Sequence, residues 1–516
     1  MAFVNMDRLK KRRQVSCRER RKQNMLDISP HLVEDKEALY LQLYRYFRAE
    51  IQEGRLPSGT RLPSVRALSG FLQVSKTTVE CAYHQLLAEG YIESRERSGF
   101  YVVDMEWDGP LPEHAGKKSV PTAGAVGVAA AGGRVPHAAE QPEDGQPVSI
   151  RYDFHHARVD AEHFPYERWR KYTNQCMQKE NRSVLYYGDR QGEPLLREEL
   201  ARYLSRARGV QATPEQIVIG AGTQIMISLL GFLFGPRGQI VAMEEPGYNG
   251  VRSVFAHLGF AVCPIRLEED GIDVEALGKS GARYVYITPS HQDPSGIVMP
   301  YAKRLKLLHW ANQTGGYIIE DDYDGEFRYH GRPIPSLQGL DTHGRVIYLG
   351  TFSKALLPSI RISYMVLPQE LLAIYHEQLA DFDQSASRIH QETLALFMKH
   401  GDWERHIRKM RTLYRKKHDA MLHILQEQLG PYILLKGQDA GLSMTVEVAS
   451  DCTALQLAQI AEAAGVRVYP TSHKWMEPQP KALPAFQFGF GGMTTEEMEA
   501  GIRLLQKVWG PYLRKR

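Results

Sequence analysis

Lys354 lies in VIYLGTFSKALLPSIR, immediately after an apolar run and within a Thr- and Ser-bearing turn. A lysine held in apolar, cation-rich surroundings has a lowered pKa, and its neutral amine condenses with an aldehyde to a Schiff base. Thr351, Ser353 and Arg361 flank it and supply donors suited to a phosphate dianion. Asp321 closes the apolar run of YIIEDDYDGEFRY, 33 residues before Lys354. A carboxylate at a strand end pairs with a protonated pyridine nitrogen and keeps that ring electron-withdrawing. Tyr323, two residues on, is placed to donate to a ring's phenolic oxygen. GAGTQIMISLL, with Gly222, Thr223 and Gln224 at its turn, presents backbone N–H groups to a phosphate where a helix begins. Tyr248 in EEPGYNG follows a Pro-Gly turn, from which its ring lies flat over a planar heterocycle. Asp322 and Asp324 read as acidic loop residues facing water, and no metal site is expected of them.

These residues need a frame that brings strand ends together. Apolar runs at 217–219, 239–243, 284–288, 317–321 and 346–349 alternate with helical stretches, which predicts an α/β body. The residues singled out follow the C-terminal ends of those runs, the edge at which open α/β sheets bind ligands. GAGTQ lacks the third glycine of a dinucleotide fingerprint, and Gly278-Lys279-Ser280 has Asp273 where a phosphate-binding loop requires glycine. Nicotinamide and ATP readings therefore lack support.

A second unit precedes the body. Leu39, Leu43, Phe47 and Ile51 recur every four residues and mark one apolar helix face ending near Gly54. Ser64 is a good N-cap for a short helix through Phe71, and Leu72-Gln73-Val74 turns the chain. Ser75 caps a second helix running to Glu89 and stopped by Gly90. Residues 91–103 alternate as a hairpin about Ser98-Gly99. Helix, short helix, turn, helix and hairpin is the order of a winged helix-turn-helix. Its second helix enters the major groove N-terminus first, with Ser75, Lys76, Thr77 and Thr78 at phosphates and base edges. Arg61, Ser64 and Arg66 are placed on the DNA backbone side, and Arg95 and Arg97 flank a wing tip where Gly99 permits close approach.

The predicted organisation is a basic arm over 1–37, a winged helix-turn-helix over 38–103, a linker over 104–150 and the body over 151–516. The linker is rich in Gly, Ala and Pro and offers little apolar surface to offset its ordering entropy. The arm holds nine Lys or Arg against two acidic residues in positions 1–22, a charge density that tracks phosphates without sequence preference. Apolar residues make up 43% of the 516, enough for a large core. The longest apolar stretch, 225–234, is far short of the roughly 20 residues of a membrane span. Five scattered cysteines, with no CxxC pair, argue against a disulfide framework and a zinc site. The expected location is the cytoplasm.

RLPSVRALSGFLQVSKTTVECAYHQLLAEGYIESRERSGFYV resembles the DNA-binding domain of the GntR family. Family members often carry a basic residue where this chain has Glu80. In the body, YYGDRQGEPLLREELARYL, AGTQ, EEPGY, TPSHQDPSG, EDDYDGEFRY and TFSKALLPSIR occur in the order seen in fold-type I pyridoxal-phosphate aminotransferases. Together the two parts are similar to the MocR/GabR subgroup of regulators. The resemblance implies that Lys354 forms the Schiff base with pyridoxal 5'-phosphate, Asp321 meets its pyridine nitrogen, Tyr323 its phenolic oxygen and Tyr248 its ring face. It implies further that Gly222, Thr223, Gln224, Thr351 and Arg361 cradle the phosphate, and that the protein is a head-to-tail homodimer. Three departures stand out. Asp293 in HQDPSG occupies a position where aminotransferases usually have asparagine, with His291 nearby to share that role. Gln487 in AFQFGFGGM aligns with the arginine that aminotransferases use for the substrate carboxylate, leaving Arg467 as another candidate. Gly250 stands where GABA-responsive relatives have arginine. The expected function is a pyridoxal-phosphate-dependent regulator of operator DNA that senses a small amine, an amino acid or the cofactor. Two alternatives stay open: a working aminotransferase with an accessory DNA-binding domain, and a docking protein with a dead pocket.

Overall fold

The computed structural model describes residues 38–52, 54–88, 91–95, 99–103, 149–235, 238–329, 335–379, 381–477 and 482–515. The predicted arm, nearly all of the predicted linker, and Arg97 lie outside these residues, as does the side chain of Arg95.

The N-terminal unit holds helices α1 (Leu39–Gln52), α2 (Val65–Leu72) and α3 (Lys76–Ala88), then strands β1 (Ile92–Arg95) and β2 (Gly99–Val102). Leu43, Phe47 and Ile51 of α1 are buried against Val79, Tyr83 and Leu86 of α3, as the four-residue spacing requires. Ser64 caps α2 by accepting from the Ala67 N–H at 3.2 Å. The turn between α2 and α3 places Gln73 in the left-handed region at φ 53°. Ser75 then caps α3 through the Thr78 N–H at 3.0 Å. β1 and β2 pair antiparallel, Ile92 opposite Val102, and form the wing.

In the body, strands β4 (Ile217–Gly220), β5 (Ile240–Glu245), β6 (Ala261–Glu268), β7 (Gly271–Ile272), β8 (Tyr284–Ile287), β9 (Tyr317–Asp322), β10 (Val346–Thr351) and β11 (Ser363–Val366) build one sheet. Its order is β4-β11-β10-β9-β8-β5-β6-β7. β10, β9, β8, β5 and β6 run parallel, while β11 and β7 are antiparallel to their neighbours. Each of the five strands expected from the sequence is present, within two residues of its expected ends. Successive residues of the central strands enter different clusters. Val241 and Met243 pack with Met226, Ile227 and Phe255, whereas Ala242, Val285 and Ile287 pack with Leu307 and Trp310. Helices thus cover both faces, which is why these strands read as unbroken apolar runs.

A smaller part follows, with strands β12 (Ile433–Lys436), β13 (Ser443–Val448), β15 (Tyr469–Pro470) and β16 (Ala485–Gly489) in an antiparallel sheet ordered β12-β13-β16-β15. Short strands β3 (Tyr152–Asp153) and β14 (Val466–Arg467) tie the start of the body to it. The helix Asp402–Leu429 packs across into the same core. The N-terminal core continues onto the body through Tyr301, whose ring centroid lies 3.9 Å from that of Tyr91.

Candidate functional site

β9 ends in three acids whose side chains alternate between faces. Glu320 is fully buried, accepts the N–H groups of Leu337 and Gln338 at 2.8 Å each, and faces Arg304 at 3.7 Å. Asp322 pairs with Arg208 at 2.5 Å and accepts from the Tyr348 hydroxyl at 2.6 Å. Both acids hold the scaffold. Asp321 points the other way. Its Oδ2 accepts from the Tyr286 hydroxyl at 2.5 Å, and its Oδ1 is buried with no hydrogen-bond partner among the described residues. Burial pushes this carboxyl up to about 7; the Tyr286 hydrogen bond opposes the shift, and Asp322, Asp324 and Asp293 add to it.

β10 delivers Thr351, Ser353 and Lys354 to the same edge. Lys354 Nζ donates to the His156 carbonyl at 2.5 Å. Burial drives its pKa below the ordinary amine range; Asp324 and Asp293 oppose that shift, and Lys474 reinforces it. Thr351 Oγ1 accepts from the Ser363 hydroxyl at 2.9 Å and lies 3.0 Å from Ser353 Oγ. Arg361, left-handed at φ 52°, sends Nη2 to the Ala221 carbonyl at 3.1 Å. Gly222 has φ +98°, and a Cβ there would sit 2.1 Å from Arg361 Nη2. The guanidinium therefore lies over the start of the helix Thr223–Phe234, whose first N–H groups have no acceptor within the helix. Gln224 turns its side-chain amide to the Gly250 carbonyl at 3.2 Å. The Tyr248 ring folds back so closely that a Cβ at Gly250 would lie 2.6 Å from its Cζ. Burial raises the Tyr248 pKa, Asp321 and Asp293 raise it further and Arg361 opposes them, which places these groups around one space.

The Tyr323 hydroxyl donates to the His291 carbonyl at 3.0 Å and lies 3.1 Å from His291 Nδ1. That nitrogen is 2.9 Å from Asp324 Oδ2, so Asp324 is a buried partner of His291 and not the water-facing acid expected. Asp322, bound to Arg208, likewise corrects that expectation. No group of three metal-binding side chains occurs among the described residues. Asp293 is held by Lys474 through both carboxylate oxygens, at 2.6 and 2.5 Å, and by Gln487 Nε2 at 3.2 Å. Burial raises its pKa, but Lys474 outweighs this and leaves it lowered. Arg467 is not in this group; it is half-exposed and bound to Glu462 at 2.7 Å.

The structure thus gathers Lys354, Asp321, Tyr323, Tyr248, Arg361 and Thr351 about one cleft. Sequence reading passed over Tyr286, Ser363, His156 and Lys474. Tyr286 and Ser363 had a faint signature as polar atoms on buried strands. His156 and Lys474 had none, because only the fold carries them to Lys354. On the N-terminal unit, Arg61, Ser64, Arg66, Ser75, Lys76, Thr77 and Gly99 are exposed and Thr78 is half-buried. Arg61 bridges to Tyr101 of the wing.

The bacterial gntR regulatory family model matches residues 39–102, and the aminotransferase class I and II model matches 156–505. Kynurenine aminotransferase from Pyrococcus horikoshii, solved with PMP, is 27% identical with a TM-score of 0.63, covering 70% of this chain and 91% of that one. The HTH-type transcriptional regulator YdeL of Bacillus subtilis is 39% identical, covering 94% of this chain and all of the relative. The probable rhizopine catabolism regulatory protein MocR of Rhizobium meliloti is 34% identical over 93% of this chain and 96% of its own. The chain belongs to the MocR-type regulators.

As a MocR-type chain it keeps the aminotransferase scaffold and alters the part of the cleft opposite Lys354. There Asp293 is held by both Lys474 and Gln487.

Proposed function

We propose that this MocR-type regulator binds pyridoxal 5'-phosphate at Lys354, captures a small amine there, and passes the occupancy of that site to a DNA-binding winged helix. The observation that carries this is Asp321: one oxygen is anchored by Tyr286 and the other is buried without a hydrogen-bond partner among the described residues. A buried carboxyl with a spare acceptor fits a pyridinium N–H. Gly222 and Arg361 form a cradle that a Cβ would fill, as a phosphate site requires. When bound, the coenzyme supplies a reactive aldehyde and an electron-withdrawing ring. The chain's own groups do the rest. Lys354 offers an amine whose pKa burial lowers, Tyr323 would turn its hydroxyl from the His291 carbonyl to the phenolic oxygen, and Thr351, Ser353 and the turn at Gly222-Thr223-Gln224 would hold the phosphate.

α3 presents Ser75, Lys76, Thr77 and Thr78 to the major groove of operator DNA, with Arg61 and Arg66 on the backbone. The packing of Tyr91 on Tyr301 gives a route by which rearrangement of the body reorients the winged helix. Exposed Leu185, Tyr186 and Tyr187, the last 93% exposed, support a head-to-tail homodimer. No helix among the described residues is long and apolar enough to cross a membrane, consistent with a cytoplasmic regulator. The test is footprinting of DNA upstream of the gene and its neighbours, with and without coenzyme. Protection of two half-sites is expected, and absence of protection under both conditions would refute the reading. Retention of Lys354 and Asp321 together also favours a second reading, an aminotransferase with an accessory DNA-binding domain. Sustained turnover with an amino donor and a keto acid would select it.

A further inference from the structure

Opposite Lys354, the cleft is lined by charges that cancel and by neutral atoms that lack partners. Lys474, 3% exposed, spends its ammonium on both oxygens of Asp293. Gln487, 6% exposed, donates Nε2 to Asp293 Oδ1 and to Ser443 Oγ, at 3.2 and 3.1 Å. The carboxylate only accepts, so the amide nitrogen must face it. Gln487 Oε1 is left buried without a hydrogen-bond partner among the described residues. His156, whose carbonyl holds Lys354 Nζ, likewise has a buried Nδ1 with no such partner. Burial, with Lys354 and Lys474 nearby, lowers the His156 pKa to about 3, so its ring is neutral. Unmet polar atoms at this depth are costly unless a ligand satisfies them.

Resting on the reading that Lys354 holds the coenzyme and captures an amine, we propose that the effector is an amino alcohol without a carboxylate beside its amine. Its hydroxyl hydrogen-bonds to Gln487 Oε1 and the His156 ring. An incoming carboxylate would meet Asp293 at close range, and the ammonium of Lys474 beside it is already bonded to Asp293. To take Lys474 it would have to strip Asp293 of its partner and leave a buried, uncompensated charge. A bare alkylamine would leave Gln487 and His156 unsatisfied.

The experiment is calorimetric binding to the full-length, coenzyme-loaded protein, with operator affinity as a second readout. The ligands share a three-carbon skeleton: 2-amino-1-propanol and serinol, alanine and serine, and isopropylamine. The alcohols are expected to bind at least ten-fold more tightly than the acids and the alkylamine, and to be the ligands that shift operator affinity. The double variant Asp293→Asn/Gln487→Arg is expected to reverse the order in favour of alanine. Gln487→Leu, which adds no charge, is expected to narrow the preference for the alcohol over the alkylamine by at least three-fold, with His156 retaining the remainder. Equal or tighter binding of the acids, or no binding of any amine to loaded protein, overturns the proposal. Failure of the wild-type chain to take up coenzyme would instead remove the reading beneath it.

Discussion

At the residue scale, the cleft works through protonation states set by burial. Lys354 donates to a backbone carbonyl, not to a carboxylate, and burial lowers its pKa. Lys354→Ala is expected to abolish the yellow coenzyme band and the effector dependence of operator affinity while leaving the fold intact by circular dichroism. Survival of both properties would contradict the proposed function at its base. Asp321 gives a second prediction. Its carboxyl sits at about 7 in the coenzyme-free fold, against an ordinary value of 3.8. The folded chain therefore retains a proton that the unfolded chain releases. That contribution to stability is complete below about pH 4 and is lost as pH rises to about 7. Glu244 and Glu326, both also near 7, act in the same direction. Asp321→Asn should flatten, but not remove, the fall in Tm of coenzyme-free protein between about pH 4.5 and 7.5. An unchanged slope would show that Asp321 is ionised without its ligand.

At the scale of elements, alternation along a strand decides which acid of a run faces away from the scaffold arginines. EDD at the end of β9 is three similar residues in sequence, and the pleat sends the middle one into the cleft and its neighbours to Arg304 and Arg208. Gly222 shows the complementary constraint, since a side chain there would collide with Arg361 in a backbone conformation that already disfavours one. Gly222→Ala is expected to weaken coenzyme binding at least ten-fold, measured by the absorbance band, with a smaller effect on Tm. In the winged helix, Ser75 caps α3 while Lys76 beside it is exposed and free to reach phosphate. Ser75→Ala should cost about 1 kcal/mol of stability. Lys76→Ala should leave stability unchanged and reduce the salt slope of operator binding by about one. If Lys76→Ala left that slope unaltered, α3 would not be the element against DNA.

At the scale of the whole molecule, regulation requires that a change at Lys354 reach α3. Tyr301 begins the helix Tyr301–Thr314 and joins the buried core of the N-terminal unit through Tyr91. Tyr301→Ala should leave coenzyme uptake and effector-free DNA binding near their wild-type levels and abolish the effector's influence on operator affinity. That split, read by titrating both ligands on one variant, is what a coupling contact predicts, because coupling is a differential affinity between two states. If the variant kept full effector response, coupling would run through another contact.

Much of this was legible in the residues themselves. The four-residue period of α1, the caps Ser64 and Ser75, and the apolar runs of five body strands follow from local rules of capping, periodicity and burial. That Lys354, Asp321, Tyr248 and Arg361 gather near strand ends was legible because each stands at a short offset from such a run. The Asp293, Gln487 and Gly250 departures were also visible, but only as absences of expected types. What replaced them required the tertiary structure. Lys474 reaches Asp293 across 181 residues, and His156 reaches Lys354 across 198. No local pattern encodes such pairings, because they depend on how two sheets and their helices pack. The same packing made Asp324 a partner of His291 and left Gln487 with an unmet acceptor. Local sequence chose the elements and placed polar side chains at their ends, while long-range burial decided which charges were cancelled and which atoms have no partner among the described residues.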